Sequence, residues 1–198
     1  MTKMKNTIPN KYNMIVAADM DWCIGNKGKL LDRFPEDMAF FKAITTHKAV
    51  IMGTKTQESL PCHYLPNRIN IILSPSEMPE EAKQYENDNT RIWYINNIET
   101  IPLGINLFNY TQMNSSHKSN FDYITDGDVF VMGGGQVYRQ FIENDLIGTI
   151  YLTQIEHQYH GDTFIPNLFD YGFKITEELS PSYINDNGIK YSIKVLRK

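Results

Sequence analysis

Cysteine is nearly absent from this chain. Cys23 and Cys62 are the only two among 198 residues, too few for the disulfide framework of a small secreted domain. Cys23 has no neighbouring base and reads as a small packed side chain. Long apolar runs are missing too. No segment approaches the ~20 residues of a spanning helix, and the N-terminus has no basic-then-apolar leader pattern. Neither sign of charge is in excess: 19 Lys and Arg against 23 Asp and Glu leave a net charge of −4. That balance offers nucleic acid or an anionic membrane no electrostatic footing. Metal-ligand spacing is thin as well. His157 and His160 are suitably spaced, but Glu156-His157-Gln158-Tyr159-His160-Gly161 supplies no third ligand, so no metal site is expected. These absences point to a cytoplasmic protein with small-molecule partners and favour a monomer.

What is present suits an ordinary globular protein, 41% hydrophobic and long enough for one domain with a sizeable core. Residues 1–12 are polar and irregular and read as a flexible extension ahead of a domain spanning 13–198. Met14-Ile15-Val16-Ala17-Ala18, Ala49-Val50-Ile51-Met52, Ile69-Asn70-Ile71-Ile72-Leu73 and Val129-Phe130-Val131-Met132 are apolar runs bounded by turn residues, the pattern of buried strands. Helical patterns over 35–45, 54–60 and 136–144 separate them. The alternation predicts an α/β fold with a mainly parallel sheet covered on both faces. Residues 150–155, 173–179 and 189–195 predict further strands, the last two joined around Asp186-Asn187-Gly188, a hairpin turn signal. An antiparallel edge on a parallel core follows. Residues 96–127 are the least regular part: Asn-Ser-Ser-His-Lys-Ser-Asn at 114–120 reads as an exposed loop, while Phe108, Tyr110 and Phe121 predict that part of the segment packs.

One charged residue stands out. In Pro35-Glu36-Asp37-Met38-Ala39-Phe40-Phe41-Lys42-Ala43-Ile44, Phe40, Phe41 and Ile44 follow Asp37 at helical spacing, so the acid shares their face. A carboxylate among phenyl rings is costly to ionise and tends to hold its proton more tightly, a property suited to proton transfer. A helix-end role competes with this. Pro35 suits the first turn, and Glu36 and Asp37 complement the positive end of the helix dipole. On this segment alone the helix-end role has the stronger support.

Two glycine turns add weight to chemistry. Met132-Gly133-Gly134-Gly135-Gln136-Val137-Tyr138 leaves a predicted strand and opens a helix, where free N–H groups and the helix dipole favour a phosphate. Gly53-Thr54-Lys55-Thr56 repeats the strand–glycine–helix order and brings two hydroxyls and a cation. Either could be a plain strand–helix turn. Two such turns in one parallel sheet would share the edge where these sheets bind ligands.

Taken in order, the segments resemble dihydrofolate reductase. The resemblance runs from about Asn13 to Lys198. It is carried by Ile15-Val16-Ala17-Ala18, Ile24-Gly25, Pro35-Glu36-Asp37 with Phe41-Lys42, Val50-Ile51-Met52-Gly53 with Thr56 and Glu58-Ser59, Leu65-Pro66-Asn67-Arg68 with Asn70-Ile71-Ile72-Leu73-Ser74, Met132 to Tyr138, Tyr151-Leu152-Thr153, and Gly161-Asp162-Thr163 with Pro166. It implies a single twisted sheet with an antiparallel C-terminal hairpin. The implied reaction is reduction of 7,8-dihydrofolate by NADPH, in support of one-carbon metabolism and thymidylate synthesis. Asp37 then holds the pterin's amino group and ring nitrogen and promotes protonation of the ring, and Thr153 orients Asp37. Arg68 clamps the tail carboxylate. Val16, Met38, Phe41, Leu60 and Leu65 line the substrate walls, with Met132 and Tyr138 near the nicotinamide. Ala17 and Ile24 meet the nicotinamide end; Gly134, Gly135, Gln136 and Val137 cradle the pyrophosphate with Gly53, Thr54 and Thr56. Lys55 and Ser74 meet the adenosine 2′-phosphate, and Gly133-Gly134 falls where the family has a cis peptide.

The chain departs from the family at several points. Leu31-Asp32 replaces the usual Pro-Trp in the loop Gly25–Phe34 over the site, which implies reduced turnover, with Asp32 placing a second negative charge beside Asp37. Gln57 stands where tryptophan is common, and Gln136 where some members have arginine, leaving Lys55 as the cation for the phosphate. Residues 96–127 exceed the compact bacterial pattern by roughly two dozen residues and read as a surface excursion rather than an oligomer contact. Two other readings compete: a related NADPH-dependent pteridine or pyrimidine reductase, which would not need Arg68, and a fold-retaining binding or structural protein, which would not need the Asp37–Thr153 pair.

Overall fold

The computed structural model describes residues 11–114, 121, 123–125 and 127–198. In chain order these form β1 (Tyr12–Ala18), β2 (Cys23–Gly25), α1 (Pro35–Thr45), β3 (Ala49–Gly53), α2 (Thr54–Ser59), β4 (Ile69–Leu73), β5 (Arg91–Ile95), α3 (Ile101–Asn114), β6 (Val129–Gly133), α4 (Gly135–Glu143), β7 (Ile147–Ile155), β8 (Thr163–Phe164), β9 (Lys174–Glu178), β10 (Tyr183–Ile184) and β11 (Lys190–Arg197). The large sheet runs β10-β11-β7-β1-β6-β3-β4-β5, with β9 also paired to β11. β7, β1, β6, β3, β4 and β5 are parallel, and β9, β10 and β11 antiparallel to their neighbours. β2 and β8 form a separate small ribbon.

Strands buried on both faces need apolar residues at every position, and the pleat sends alternate ones to opposite sides. Val16, Ile51, Ile71 and Val131 face α3 and α4, packing with Ile105, Phe108, Val137 and Phe141. Ile15, Val50, Met52, Ile72 and Phe130 face the other way, against Phe40, Phe41 and Ile44 of α1. The expected α/β fold is therefore present.

Three boundaries differ from expectation. Tyr12, assigned from the sequence to the extension, is buried and opens β1; residues 1–10 lie outside the described residues. The expected irregular stretch 96–127 contains α3, whose buried Ile101, Ile105 and Phe108 keep helical spacing, while Tyr110 is exposed and Phe121 packs edge-on against Phe108. Pro102 sits in the first turn of α3, where it is tolerated, and Gly104 packs by Trp93; together they hide the helical pattern. Of the loop expected at 114–120, Asn114 ends α3 and 115–120 lie outside the described residues. Finally, the Asp186-Asn187-Gly188 turn joins β10 to β11, closed by Asn185 N–H to the Ile189 carbonyl at 3.0 Å, with Gly188 at φ +76. β9 pairs with the distal part of β11 instead.

Candidate active site

Parallel strands end on the same edge, and here the two glycine turns end side by side. Met52 pairs with Gly133 across β3 and β6, and Gly53 with Leu73 across β3 and β4. The peptide Gly133–Gly134 is cis, and Gly133 has φ +129, a conformation other residues rarely adopt. Gly134 caps α4 without a side-chain hydrogen bond, leaving first-turn amides available to an anion. The approach is close on all sides. A Cβ on Gly134 would lie 3.1 Å from the Thr56 hydroxyl, and one on Gly135 would lie 2.9 Å from the Phe164 carbonyl and 3.9 Å from Ile24 Cδ1. A Cβ on Gly53 would lie 3.1 Å from Val137 Cγ2, so the two turns interlock.

The acid comes from the opposite direction. Pro35 starts α1, and Asp37 follows in its first turn. Its Oδ1 accepts from the Thr153 hydroxyl at 2.6 Å across 116 residues of chain, which ties it to the sheet as well as to its helix end. Thr153 is buried on β7 between Ala17 of β1 and Ile193 of β11. Burial pushes the Asp37 carboxyl above the usual carboxylate range, and the Thr153 bond offsets part of that rise. Tyr138 on α4 is buried and donates to the Ile15 carbonyl at 2.6 Å. Its phenol is pushed up by burial and then by the Asp37 charge, so it stays neutral and lies within electrostatic reach of the acid.

Between these poles the α1 face of the sheet presents apolar groups. Phe41, Leu60, Leu65 and Met132 pack, half-buried, against Ile15, Val50 and Met52. Two expected wall residues lie outside this cluster. Val16 points into the α4 cluster because β1 is pleated, and Ile15, a motif residue given no wall role from the sequence, takes the α1 side. Met38 is 50% exposed and joins none of the core clusters.

Arg68 ends this face. It is 5% exposed, with Nε donating to Thr45 Oγ1 at 2.9 Å and its terminal nitrogens to the Pro66 carbonyl at 2.7 Å, Thr46 Oγ1 at 3.3 Å and the Lys42 carbonyl at 3.4 Å. Its Cζ lies 5.7 Å from the Phe41 ring centre. No carboxylate forms a salt bridge with it among the described residues, and burial lowers its proton affinity. A buried cation held only by neutral acceptors is suited to an incoming carboxylate.

The remaining expected residues divide. Ala17 is half-buried against the cluster of Phe34, Ile155 and Tyr191, while Thr54 and Thr56 are half-buried and Lys55 and Gln136 exposed at their helix starts. Ser74 is buried, and its hydroxyl accepts from the Ser76 N–H at 3.0 Å. Asp32 does not press on Asp37: its carboxylate is occupied by Tyr159, Asn185 and Asn187, and burial rather than a neighbouring acid raises Asp37. Glu36, read from the sequence only as a helix-end charge, accepts from the Tyr191 hydroxyl, and buried Asp19 accepts from the nearby Cys23 amide and the distant Tyr159 amide; the long-range partners of both acids carry no local sequence signal.

Comparisons with known proteins agree with this arrangement. A family model described as dihydrofolate reductase matches residues 11–198. The dihydrofolate reductase of Haemophilus influenzae is 31% identical over 158 residues, covering 79% of each chain. That of Candida albicans is 30% identical over 200 residues, covering 94% of this chain and 91% of its own. The bifunctional dihydrofolate reductase-thymidylate synthase of Glycine max is 30% identical over 200 residues, and the chain spans 34% of its length. Among solved structures, a dihydrofolate reductase from Enterococcus faecalis complexed with NADP(H) and RAB-propyl superposes with a TM-score of 0.66 at 23% identity, over 96% of this chain and 97% of that one. With its motifs, its sheet order and these matches in agreement, the chain belongs to the dihydrofolate reductase family.

Proposed function

We propose that this protein reduces 7,8-dihydrofolate to 5,6,7,8-tetrahydrofolate with NADPH. The observation that carries this reading is half-buried Asp37, hydrogen-bonded to buried Thr153, sharing one sheet face with buried Arg68, which has neutral acceptors alone among the described residues. The first pair suits a protonatable ring system and the second an anionic tail. Asp37 holds the amino group and adjacent ring nitrogen of the pterin. Its raised proton affinity keeps it serviceable near neutral pH, where it promotes protonation of the ring nitrogen beside the carbon that is reduced. Thr153 orients it. Ile15, Phe41, Leu60 and Leu65 exclude water around the rings, and Arg68 takes the tail carboxylate.

The chain also fits the cofactor, because the glycine cradle at 133–135 admits a phosphate where a Cβ on Gly134 would meet Thr56 and one on Gly135 would meet Phe164. Gly134, Gly135, Gln136 and Val137 would hold the pyrophosphate with Gly53, Thr54 and Thr56. Ala17, Ile24, Met132 and Tyr138 would border the nicotinamide, and Lys55 with Ser74 the 2′-phosphate. When bound, the reduced nicotinamide supplies the hydride. The enzyme works as a cytoplasmic monomer in this reading, in keeping with free Cys23 and Cys62. Among the described residues no helix is long and apolar enough to cross a membrane.

The test is a spectrophotometric assay with dihydrofolate and NADPH, run beside Asp37→Asn. Oxidation of NADPH by the wild type, lost in the variant, is the expected outcome. Binding of both ligands without turnover would replace this reading with that of a binding protein.

A further inference from the structure

We propose that Asp32 is a positioning residue, latching the segment ahead of α1 to the C-terminal hairpin and so holding Asp37 against Thr153. The inference rests on Asp37 being the acid of the reaction above.

The latch is dense. Asp32 Oδ2 accepts from Asn187 Nδ2 at 2.7 Å, Asn185 Nδ2 at 2.9 Å and the Tyr159 hydroxyl at 3.1 Å, and Oδ1 accepts from the Arg33 N–H at 2.7 Å. Every donor is neutral, so the charge is satisfied by hydrogen bonds alone. Asn185 is itself fixed: its Oδ1 accepts from the N–H groups of Asn187 and Ile189, each at 3.0 Å, turning its amide N–H groups toward Asp32 and the Arg33 carbonyl. Tyr159 is held from behind, where its N–H donates to Asp19 Oδ2 at 2.8 Å. The same carboxylate therefore joins the loop before α1, the turn before β11 and the loop before β8.

The grip continues toward the acid. The Phe34 ring stands edge-on to that of Tyr191, with centres 4.8 Å apart, and both are buried. The Tyr191 hydroxyl donates to Glu36, the residue before Asp37. Tyr191 lies on β11, two positions before Ile193, which pairs with Thr153. One strand therefore braces both partners of the Asp37–Thr153 bond: through Tyr191 on the helix side and through the β11–β7 ladder on the threonine side. Asp32 locks the loop end of that brace.

Releasing the latch gives Asp37 more water and a broader range of positions. Hydration weakens the burial that raises its pKa, the larger of the two influences on it. The groups around Asp37, which are Tyr138 of α4 and Tyr191 of β11 on the packed elements, the Thr153 donor of β7 and Glu36 on its own helix, are unchanged in such a variant.

The experiment compares wild type, Asp32→Ala, exposed-site Asn187→Ala and the double variant. It measures kcat and KM for dihydrofolate and NADPH across pH, and the carboxyl 13C titration of Asp37 in the free protein. Asp32→Ala is expected to lower kcat about tenfold, leave KM for NADPH within about twofold, and move the Asp37 titration and the alkaline limb of the pH profile downward. Asn187→Ala should shift both in the same direction but less, and the double variant should match Asp32→Ala rather than sum the two. An unmoved Asp37 titration, or additive effects with a lowered Tm alone, overturns the latch. An inactive wild type with an intact Asp32-dependent titration overturns instead the reaction assigned above.

Discussion

The Thr153 hydroxyl donates to Asp37 Oδ1 at 2.6 Å, and the two residues lie 116 positions apart. No local rule links them. The bond exists because β7 inserts beside β1, so that Thr153 rises on the face that α1 covers. Burial and this one donor oppose each other at the carboxylate, and their balance sets where it titrates.

Thr153→Val keeps the shape and removes the donor. A hydrogen bond to an ionised acceptor contributes about 1.5–3 kcal/mol, so kcat/KM for dihydrofolate should fall roughly 10- to 100-fold. The hydroxyl favours the charged acid. Its loss lets burial push Asp37 higher, and the alkaline limb of the pH profile should move up. A profile that stays in place would separate Thr153 from the acid's titration.

Asp37→Asn should stabilise the fold above neutral pH while abolishing turnover. Asp37 binds its proton more tightly in the folded chain than in the unfolded one. The stability this contributes is complete below the unfolded carboxylate range and is lost as pH rises through the folded value. Asparagine carries no such dependence. Thermal melts between roughly pH 4 and pH 8 should show the variant's Tm advantage growing with pH; an advantage that is flat or shrinks would contradict the burial account.

The fold was legible wherever one strand or helix carries its own pattern. The apolar runs at Ala49–Met52 and Val129–Met132 became β3 and β6 because strands covered on both faces need apolar side chains throughout. The glycine turns were legible for the same local reason. Contacts between distant segments were not. The register that sends Ile15 rather than Val16 to the α1 face depends on pleat phase, which shifts with a single residue. Asp32 looked like a charge beside Asp37 because sequence neighbours are visible and Asn185 and Asn187, more than 150 positions away, are not. α3 was obscured by Pro102 and Gly104, both poor helix residues whose cost tertiary packing of Ile101, Ile105 and Phe108 overrides.

Lys55→Ala tests cofactor choice. Lys55 is exposed at the start of α2 and makes no ion pair among the described residues. An exposed cation facing a phosphate is screened by salt. KM for NADPH should rise about fivefold at low ionic strength and by less at high salt, in the range of a modest surface charge pair. KM for NADH should not change. Equal effects on both cofactors would remove Lys55 from phosphate recognition.

Arg68→Lys is the sharper test of the substrate. It keeps the charge but loses the planar fork that now spans Thr45, Pro66 and Thr46. If the fork's remaining capacity is for the tail carboxylate, the loss falls on binding and not on the reacting ring. KM for dihydrofolate should rise roughly 10- to 100-fold, the equivalent of one charge-assisted pair, with kcat at saturation nearly unchanged. A dihydropterin without the tail carboxylate should react equally with both proteins. Equal losses on the two substrates would instead make Arg68 a brace between α1 and the β4 end of the sheet, since Thr45, Thr46 and the Lys42 carbonyl all lie at the C-terminal end of α1.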